Sequence, residues 1–304
     1  MNIVEQEILS SPAVLRQTLA RTKAHARDLG PALHGPAVFL GCGTSNFVGM
    51  AAAALYEQST GFPAQGIMGS EYLPRRSWSH VAISRTGQTT ELVEAMARAR
   101  SVDASVALVQ GEAHSPAGAQ ATVVLPLEFA PEHGTIQTRF ISASLLALRL
   151  LIGGSGAYAL LDTLPDQVER ALAAFDPLQL AGYGHIVYLG RGWRYPLALA
   201  AAMNLQETAR LVPEAQQTLE YRHGPISCAD AGTLVWSFDA PDAPVGAAVL
   251  DDVRRTGATV RCTGDDPLVT LILAQLLAVR VAERRGVDPD APRNLSRAIV
   301  LETV

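Results

Sequence analysis

Val81-Ala82-Ile83-Ser84-Arg85-Thr86-Gly87-Gln88-Thr89-Thr90-Glu91-Leu92 is an apolar run that enters a hydroxyl-rich turn and then takes up helical spacing. The apolar run ends at Ser84, and Leu92, Val93 and Met96 begin a helical period just after Thr89, so the turn joins a buried strand to an amphipathic helix. Hydroxyls at Ser84, Thr86 and Thr89, a glycine between them and the unpaired N–H groups of a helix start make a seat for an anion, with phosphate the natural guest. Taken alone, the same residues also fit a Ser/Thr-capped helix start after any α/β strand.

Upstream, Ala37-Val38-Phe39-Leu40-Gly41 reads as a strand, Cys42-Gly43-Thr44-Ser45 as a second small-residue turn, and residues 46–58 as a helix. The glycines allow close backbone approach, and Ser45 can cap the helix or hold an anion. G-C-G-T-S-N lacks the third glycine of a dinucleotide fingerprint, and no acidic residue ends the next strand, which argues against a nucleotide cofactor and a dehydrogenase. Further strands are expected at 64–68, 105–109 and 122–125, and a largely apolar helix at 136–151. Strand and helix alternating at these intervals imply parallel βαβ units, with ligand groups at the carboxyl ends of the strands. Ser45, Ser84, Thr86 and Thr89 all fall at such ends. Residues 4–29 read as two helical segments broken at Ser10-Ser11-Pro12 and stopped by Gly30-Pro31, and Gly153-Gly154-Ser155-Gly156 reads as a linker.

The second half repeats the first. His185-Ile186-Val187-Tyr188-Leu189-Gly190-Arg191-Gly192 again runs from an apolar strand into GxG and a small-residue helix, and residues 233–238, 245–255 and 259–262 echo the next strand, helix and strand. Where the first copy has Ser84-Arg85-Thr86-Gly87-Gln88-Thr89, the second has Ser237-Phe238-Asp239-Ala240-Pro241-Asp242. Carboxylates there repel an anion and a proline removes a donor, so the phosphate seat is expected in the first copy only. The second copy offers other chemistry. On the helix expected at 197–211, Asn204 and Glu207 lie one turn apart beside alanines and leucines, so Glu207 is either a base with a raised pKa or a solvated surface carboxylate. His223, in Leu219-Glu220-Tyr221-Arg222-His223-Gly224-Pro225, sits on a loop, where functional side chains concentrate. Pro292-Arg293-Asn294-Leu295-Ser296-Arg297 follows the helix expected at 268–285 and by spacing alone reads as a solvated terminus.

Nearly half of the 304 residues are hydrophobic (48%) and 17% are charged, the balance of a filled globular core and not of a disordered or fibrous chain. The net charge of −5 and scattered basic residues give no footprint for nucleic acid. Cys42, Cys228 and Cys262 are odd in number and widely spaced, so neither a disulfide framework nor a metal site is indicated. The N-terminus is acidic and amphipathic, and no apolar run is read as reaching the roughly 18 residues of a spanning helix. The expectation is a soluble, cytoplasmic protein without a membrane partner.

G-C-G-T-S at Gly41 to Ser45, S-R-T-G-Q-T at Ser84 to Thr89, L-G-R-G at Leu189 to Gly192, Y-R-H-G-P at Tyr221 to Pro225 and P-R-N-L at Pro292 to Leu295 occur in one order across almost the whole chain. Together they resemble the SIS (sugar isomerase) family, above all the isomerase half of glutamine:fructose-6-phosphate amidotransferase and its ketose/aldose-isomerase and deglycase relatives.

The resemblance implies an α/β fold of two SIS domains, each a parallel sheet between helical layers: a helical segment at 1–30, a phosphate-binding domain at 31–160, a second domain at 161–285 and a tail at 286–304 closing over the site. It implies that Ser45, Ser84, Thr86 and Thr89 hold the sugar phosphate, with Gly43, Thr44, Arg85, Glu220 and Ser296 also in the substrate site. Glu207 matches the family's base, which moves a proton between C1 and C2, and His223 its ring-opening histidine, which the neighbouring subunit delivers. A homodimer with the site at the subunit interface is thereby implied, and no cofactor is needed. Two positions depart from the amidotransferase: Arg297 after Ser296 replaces its tail lysine as a candidate catalytic residue, and Asn204 replaces a lysine one turn before Glu207. A guanidinium does not form an imine, and no glutaminase domain is expected from these residues. The expected activity is therefore that of a phosphosugar isomerase, with or without deamination or deglycation of an amino sugar; the alternative is a non-catalytic sugar-phosphate-binding regulator.

Overall fold

The computed structural model describes residues 1–29, 33–241 and 243–301, without the side chains of residues 26–29. The helix stop expected at Gly30-Pro31 and the carboxylate of Asp242 lie outside the described residues. The chain forms two compact units, one of Ser10–Pro165 with Asn294–Val304 and one of Met1–Leu9 with Asp166–Arg293. The opening helix α1 (Ile3–Leu9) belongs to the latter.

In the unit built on Ser10–Pro165, α2 (Ser11–Leu29) precedes β1 (Ala37–Gly41), α3 (Thr44–Thr60), β2 (Ala64–Met68), β3 (Ser79–Ser84), α4 (Thr90–Arg100), β4 (Val106–Gln110), α5 (Pro116–Gln120), β5 (Val123–Pro126) and α6 (Arg139–Leu161). All five strands are parallel, in the order β2-β1-β3-β4-β5. β1, β3 and β4 are buried along their whole length. Helices cover both sheet faces, which is why these strands read as continuous apolar runs and not as alternating ones. Val38, Leu40, Ala82 and Leu108 face a core completed by Leu92, Ala95 and Met96 of α4; burying Leu92 and Met96 contributes about 1.5–3 kcal/mol each. Phe39 points to the other face, where α3 passes so close that a Cβ at Gly49 would lie 3.3 Å from its own. α6 packs there against α2 and α3.

The Gly153-Gly154-Ser155-Gly156 stretch breaks the helix as expected, while the two units divide further on, after Pro165. It lies inside α6, where Gly154 alone leaves helical dihedrals (φ 56°, ψ −146°) and kinks the helix. Each glycine costs a helix about 1 kcal/mol of propensity, and residues 153–156 are exposed; helical geometry resumes beyond the kink and ends at a buried Leu161. At 23 residues α6 is also long and apolar enough to cross a membrane, contrary to the expectation from sequence, and 56% of its most apolar window is buried inside the protein.

The other unit continues from α7 (Leu164–Ala174) through β6 (His185–Gly190), α8 (Tyr195–Ala209), β7 (Glu214–Gln217), β8 (Thr233–Ser237), α9 (Pro244–Arg255), β9 (Thr259–Arg261) and α10 (Pro267–Arg284). Its four strands are parallel in the order β7-β6-β8-β9, the order of the first four strands of the other sheet. Val187, Leu189 and Val235 pack on Val249, Leu250 and Val253 of α9, and α8 packs on α10. α10 is buried on nearly every side, so its sequence is apolar all round and not amphipathic. In both sheets the order reverses between two neighbouring strands, β1 and β3 in one, β6 and β8 in the other. A crevice opens at the carboxyl ends of such a pair.

Candidate functional site

In the unit built on Ser10–Pro165 the crevice is lined by the turn after β1 and the loop after β3. The strands pair Leu40 with Ala82, and continuing that register sets Cys42 beside Ser84. A Cβ on Gly41 would lie 2.6 Å from the backbone of Ser45 and Asn46, so the start of α3 folds back directly over the strand end. Gly43, at φ 54° and ψ −131°, makes the turn in a region closed to other residues. Thr44 and Ser45 are buried, and the Ser45 hydroxyl donates to Gln137 Oε1 at 3.2 Å. Burial pushes the Cys42 thiol above its ordinary pKa, so this cysteine is held as the protonated thiol and not as a nucleophilic thiolate.

The loop after β3 is shaped by its own hydroxyls. Ser84 Oγ accepts from the Gly87 N–H at 2.8 Å, and Thr86 Oγ1 accepts from the Gln88 N–H at 3.3 Å. Both oxygens act as acceptors, and among the described residues neither donates, so each O–H remains available to an oxyanion. Gly87 sits at φ 65° against Ser115, whose Oγ would meet a Cβ there at 2.1 Å. Thr89 lies at the N-cap of α4 without a side-chain cap bond. One donor expected at the helix start is already used: the Thr90 N–H donates to the Ile299 carbonyl at 3.1 Å, and the Leu301 N–H donates to Thr90 Oγ1 at 2.9 Å. Ile299 and Leu301 thus tie the tail to the start of α4 by main-chain bonds, while residues 293–297 and 299–301 stay exposed, as the spacing suggests.

Arg85 is 3% exposed, and its guanidinium faces protein. Nη1 donates to Glu132 Oε2 at 3.1 Å and to the Gly134 carbonyl at 3.2 Å, while Nη2 donates to the Arg297 carbonyl at 2.9 Å. Glu132 Oε1 in turn accepts from the Thr138 N–H (2.7 Å), the Thr138 hydroxyl (3.3 Å) and the Phe140 N–H (2.9 Å), capping α6 from outside the helix. Arg297, from the tail, donates through Nη2 to Glu112 Oε1 at 2.7 Å and to the Glu132 carbonyl at 2.6 Å. Ser296 donates to the Ala298 carbonyl. Glu132 and Glu112 are absent from the residues expected from sequence; the only signal for Glu132 was a carboxylate a few residues before a helix start.

Glu207, Glu220 and His223 belong to the other unit. Glu207 is half-buried on α8, one turn from a buried Asn204 whose Oδ1 accepts from Gln275 at 3.1 Å. Glu220 and His223 are exposed on a 3-10 turn, Glu220–His223. Tyr221 anchors that turn in the core beneath it, and burial pushes its phenol up to about 12.

This unit fills its own crevice with a carboxylate. Asp239 Oδ1 accepts from the Arg191 N–H at 3.0 Å and Oδ2 from the Thr218 hydroxyl at 2.6 Å. Gly190 is pressed against Arg194 and Tyr195 as Gly41 is against Ser45 and Asn46, and β6 pairs with β8 in a register that sets Arg191 beside Asp239. Asp239, not Ser237, is therefore the counterpart of Ser84, which moves the equivalence expected from sequence by two residues. A fixed anion occupies the place where the other crevice has a free hydroxyl.

A protein-family model matches residues 35–153. Those residues are a SIS domain. Beyond the SIS domain, similarity runs the length of the chain. Glutamine--fructose-6-phosphate aminotransferase [isomerizing] of Methanothermobacter thermautotrophicus is 28% identical over 341 residues, covering 98% of this chain and 57% of the relative. The enzyme of that name from Xylella fastidiosa is 30% identical over 363 residues, covering 99% and 59%. The chain thus spans less than two thirds of the length of these curated relatives. Among solved structures, a glucosamine-6-phosphate deaminase from Thermotoga maritima superposes with a TM-score of 0.83 at 23% identity, covering 99% of this chain and 100% of its own. A tagatose-6-phosphate ketose/aldose isomerase from Escherichia coli gives 0.83 at 19%, covering 95% of each. These structures share the fold.

Proposed function

We propose that the chain is a phosphosugar isomerase, or an isomerising deaminase or deglycase of a 6-phosphorylated amino sugar, built from two SIS domains, at 31–160 and 161–285. The observation that carries this reading is the pair of turns at the β1/β3 crevice, with the free O–H groups of Ser84 and Thr86, in a chain that aligns from end to end with isomerising sugar-phosphate enzymes. The phosphate is held by the hydroxyls of Ser45, Ser84, Thr86 and Thr89 with the Gly43-Thr44 backbone. Arg85 is a positioning residue that ties the loop to Glu132 and to the tail, in place of the substrate contact implied by the resemblance. Ser296 and Glu220 remain candidates for the sugar's other hydroxyls.

Glu207 is the base. In a ketose, its carboxylate takes the C1 proton while the C2 carbonyl draws the electron pair onto oxygen, giving an enediol; return of the proton to C2 and collapse of the enediol give the aldose. In an amino sugar the imine nitrogen takes the place of that oxygen, and attack of water on the imine carbon releases ammonia or an amine. His223, from the neighbouring subunit of a homodimer, moves the ring hydroxyl proton that opens the sugar. Arg297 shields the site through its bonds to Glu112 and Glu132.

The test is proton NMR of the protein in D₂O with fructose-6-phosphate, glucose-6-phosphate and glucosamine-6-phosphate in separate tubes. Loss of the C1 or C2 proton signal, or a new sugar, is the expected result. Saturable binding without exchange in every tube overturns the enzyme reading in favour of a sugar-phosphate-binding regulator. That second reading draws on Asn204 and Arg297, both held by other protein groups at positions where the amidotransferase has lysines.

A further inference from the structure

In the unit of Asp166–Arg293, a cavity of about 340 Å³ opens among α7, the end of β9 and the first turns of α10. Its lining includes Gln167 and Arg170 of α7, Phe175, Arg261 and Asp265. Arg261 Cζ lies over the Phe175 ring at 4.8 Å and over the Trp236 ring at 4.9 Å, so two aromatic faces hold the guanidinium in place. Its Nε is buried without a hydrogen-bond partner, and among the described residues the Arg261 side chain makes no hydrogen bond and no ion pair. Burial lowers its pKa, an effect that Asp265 partly reverses. Arg170 is exposed on α7, and its side chain likewise makes no hydrogen bond or ion pair among the described residues.

A guanidinium carries five donors in a rigid fork, and taking it out of water without an acceptor is costly. The half-buried Arg261 and the exposed Arg170 face one cavity against a single exposed carboxylate, Asp265, which leaves the lining with a net positive charge. The volume suits a small ligand, at the lower end of the usual range of about 300–1,000 Å³. The aromatic faces fix the guanidinium, so little rotamer freedom is lost when an oxyanion arrives.

We propose that this cavity is a second anion site, taking the phosphoryl or carboxylate group of a small metabolite on Arg261 and Arg170. It is independent of the phosphate loop at Ser84, and the proposal stands whether or not the chain proves to be an isomerase.

The test is a titration of the full-length ¹⁵N-labelled protein with inorganic phosphate and, separately, malonate, following the indole N–H signals of Trp78, Trp193 and Trp236. Assignment uses Trp78→Phe and Trp193→Phe, which leave the buried Trp236 in place. The Trp236 signal, whose ring lies under Arg261, is expected to shift saturably with at least one of the two anions. The tighter anion names the group the site takes. Arg170→Ala, on an exposed helix face, and Arg261→Gln are each expected to weaken that response at least tenfold, while a Ser84→Ala/Thr86→Ala protein retains it. No saturable shift of Trp236 with either anion, or an unchanged response in Arg170→Ala, overturns the proposal.

Discussion

The Arg85 guanidinium and the Glu132 carboxylate meet at 3.1 Å with their side chains 3% and 0% exposed, an ion pair taken almost wholly out of water. Three separate segments depend on it: the loop after β3, the start of α6 and the carbonyl of Arg297 in the tail. Breaking a buried pair from one side leaves an uncompensated charge, at a cost of about 3–5 kcal/mol. Glu132→Ala is expected to lose stability of that order in urea unfolding. Arg85→Lys is expected to lose a large part of it too, because one ammonium cannot serve Glu132, Gly134 and Arg297 together; wild-type stability in Arg85→Lys would remove the pair from this role.

The hydroxyls of Ser84 and Thr86 are organised as acceptors for the loop's own N–H groups, which leaves their protons for a phosphate. Each charge-assisted bond of this kind is worth about 1.5–3 kcal/mol. Ser84→Ala/Thr86→Ala is therefore expected to weaken sugar-phosphate binding at least tenfold by calorimetry, and Gly87→Ala to do so by displacing the loop from Ser115. Unaltered affinity in both proteins would place the phosphate elsewhere.

Glu207→Gln keeps the shape of the side chain and removes the base. The expected outcome is turnover lost by several orders of magnitude with phosphosugar affinity within a few-fold of wild type, measured by rate assay and calorimetry on one preparation. An unchanged rate would take Glu207 out of the mechanism.

His80 provides a pH test of the fold. It is 1% exposed on β3, with Nε2 2.7 Å from the Tyr72 hydroxyl. Burial, opposed by a hydrogen bond with the Trp78 backbone and helped by Arg75, pulls its pKa below the ordinary value of about 6.5. Below that value the unfolded chain binds a proton that the folded chain refuses, so stability is full above about pH 6.5 and falls as pH drops toward the lowered folded pKa. Wild type is expected to lose more of its urea midpoint than His80→Gln between about pH 7.5 and pH 5.5. Parallel profiles for the two proteins would remove His80 as the cause.

Much of the fold could be read without coordinates. β1, β3, β4, β6 and β8 announce themselves as apolar runs because both faces of each sheet are covered, and the glycine turns follow them directly. β7 does not: Glu214-Ala215-Gln216-Gln217 is a polar edge strand whose only claim to strand geometry is its pairing with β6. The return to helix beyond Gly154 was equally hidden: the break that local propensity favours is present there, but the chain resumes helical geometry and runs on to Leu161.

What the sequence determined by itself was the alternation of strand and helix, the repeat, and the hydroxyl-rich turn from Ser84 to Thr89, all of them local patterns whose physics acts within a few residues. What the tertiary structure decided was which groups are already spent. Arg85 is taken by Glu132 and the tail, the Thr90 N–H by Ile299, and the second crevice by Asp239, whereas the Ser84 and Thr86 protons and the guanidinium of Arg261 are unspent among the described residues. Such pairings join residues tens to hundreds of positions apart, and a buried polar group takes whichever partner the fold brings within hydrogen-bond reach.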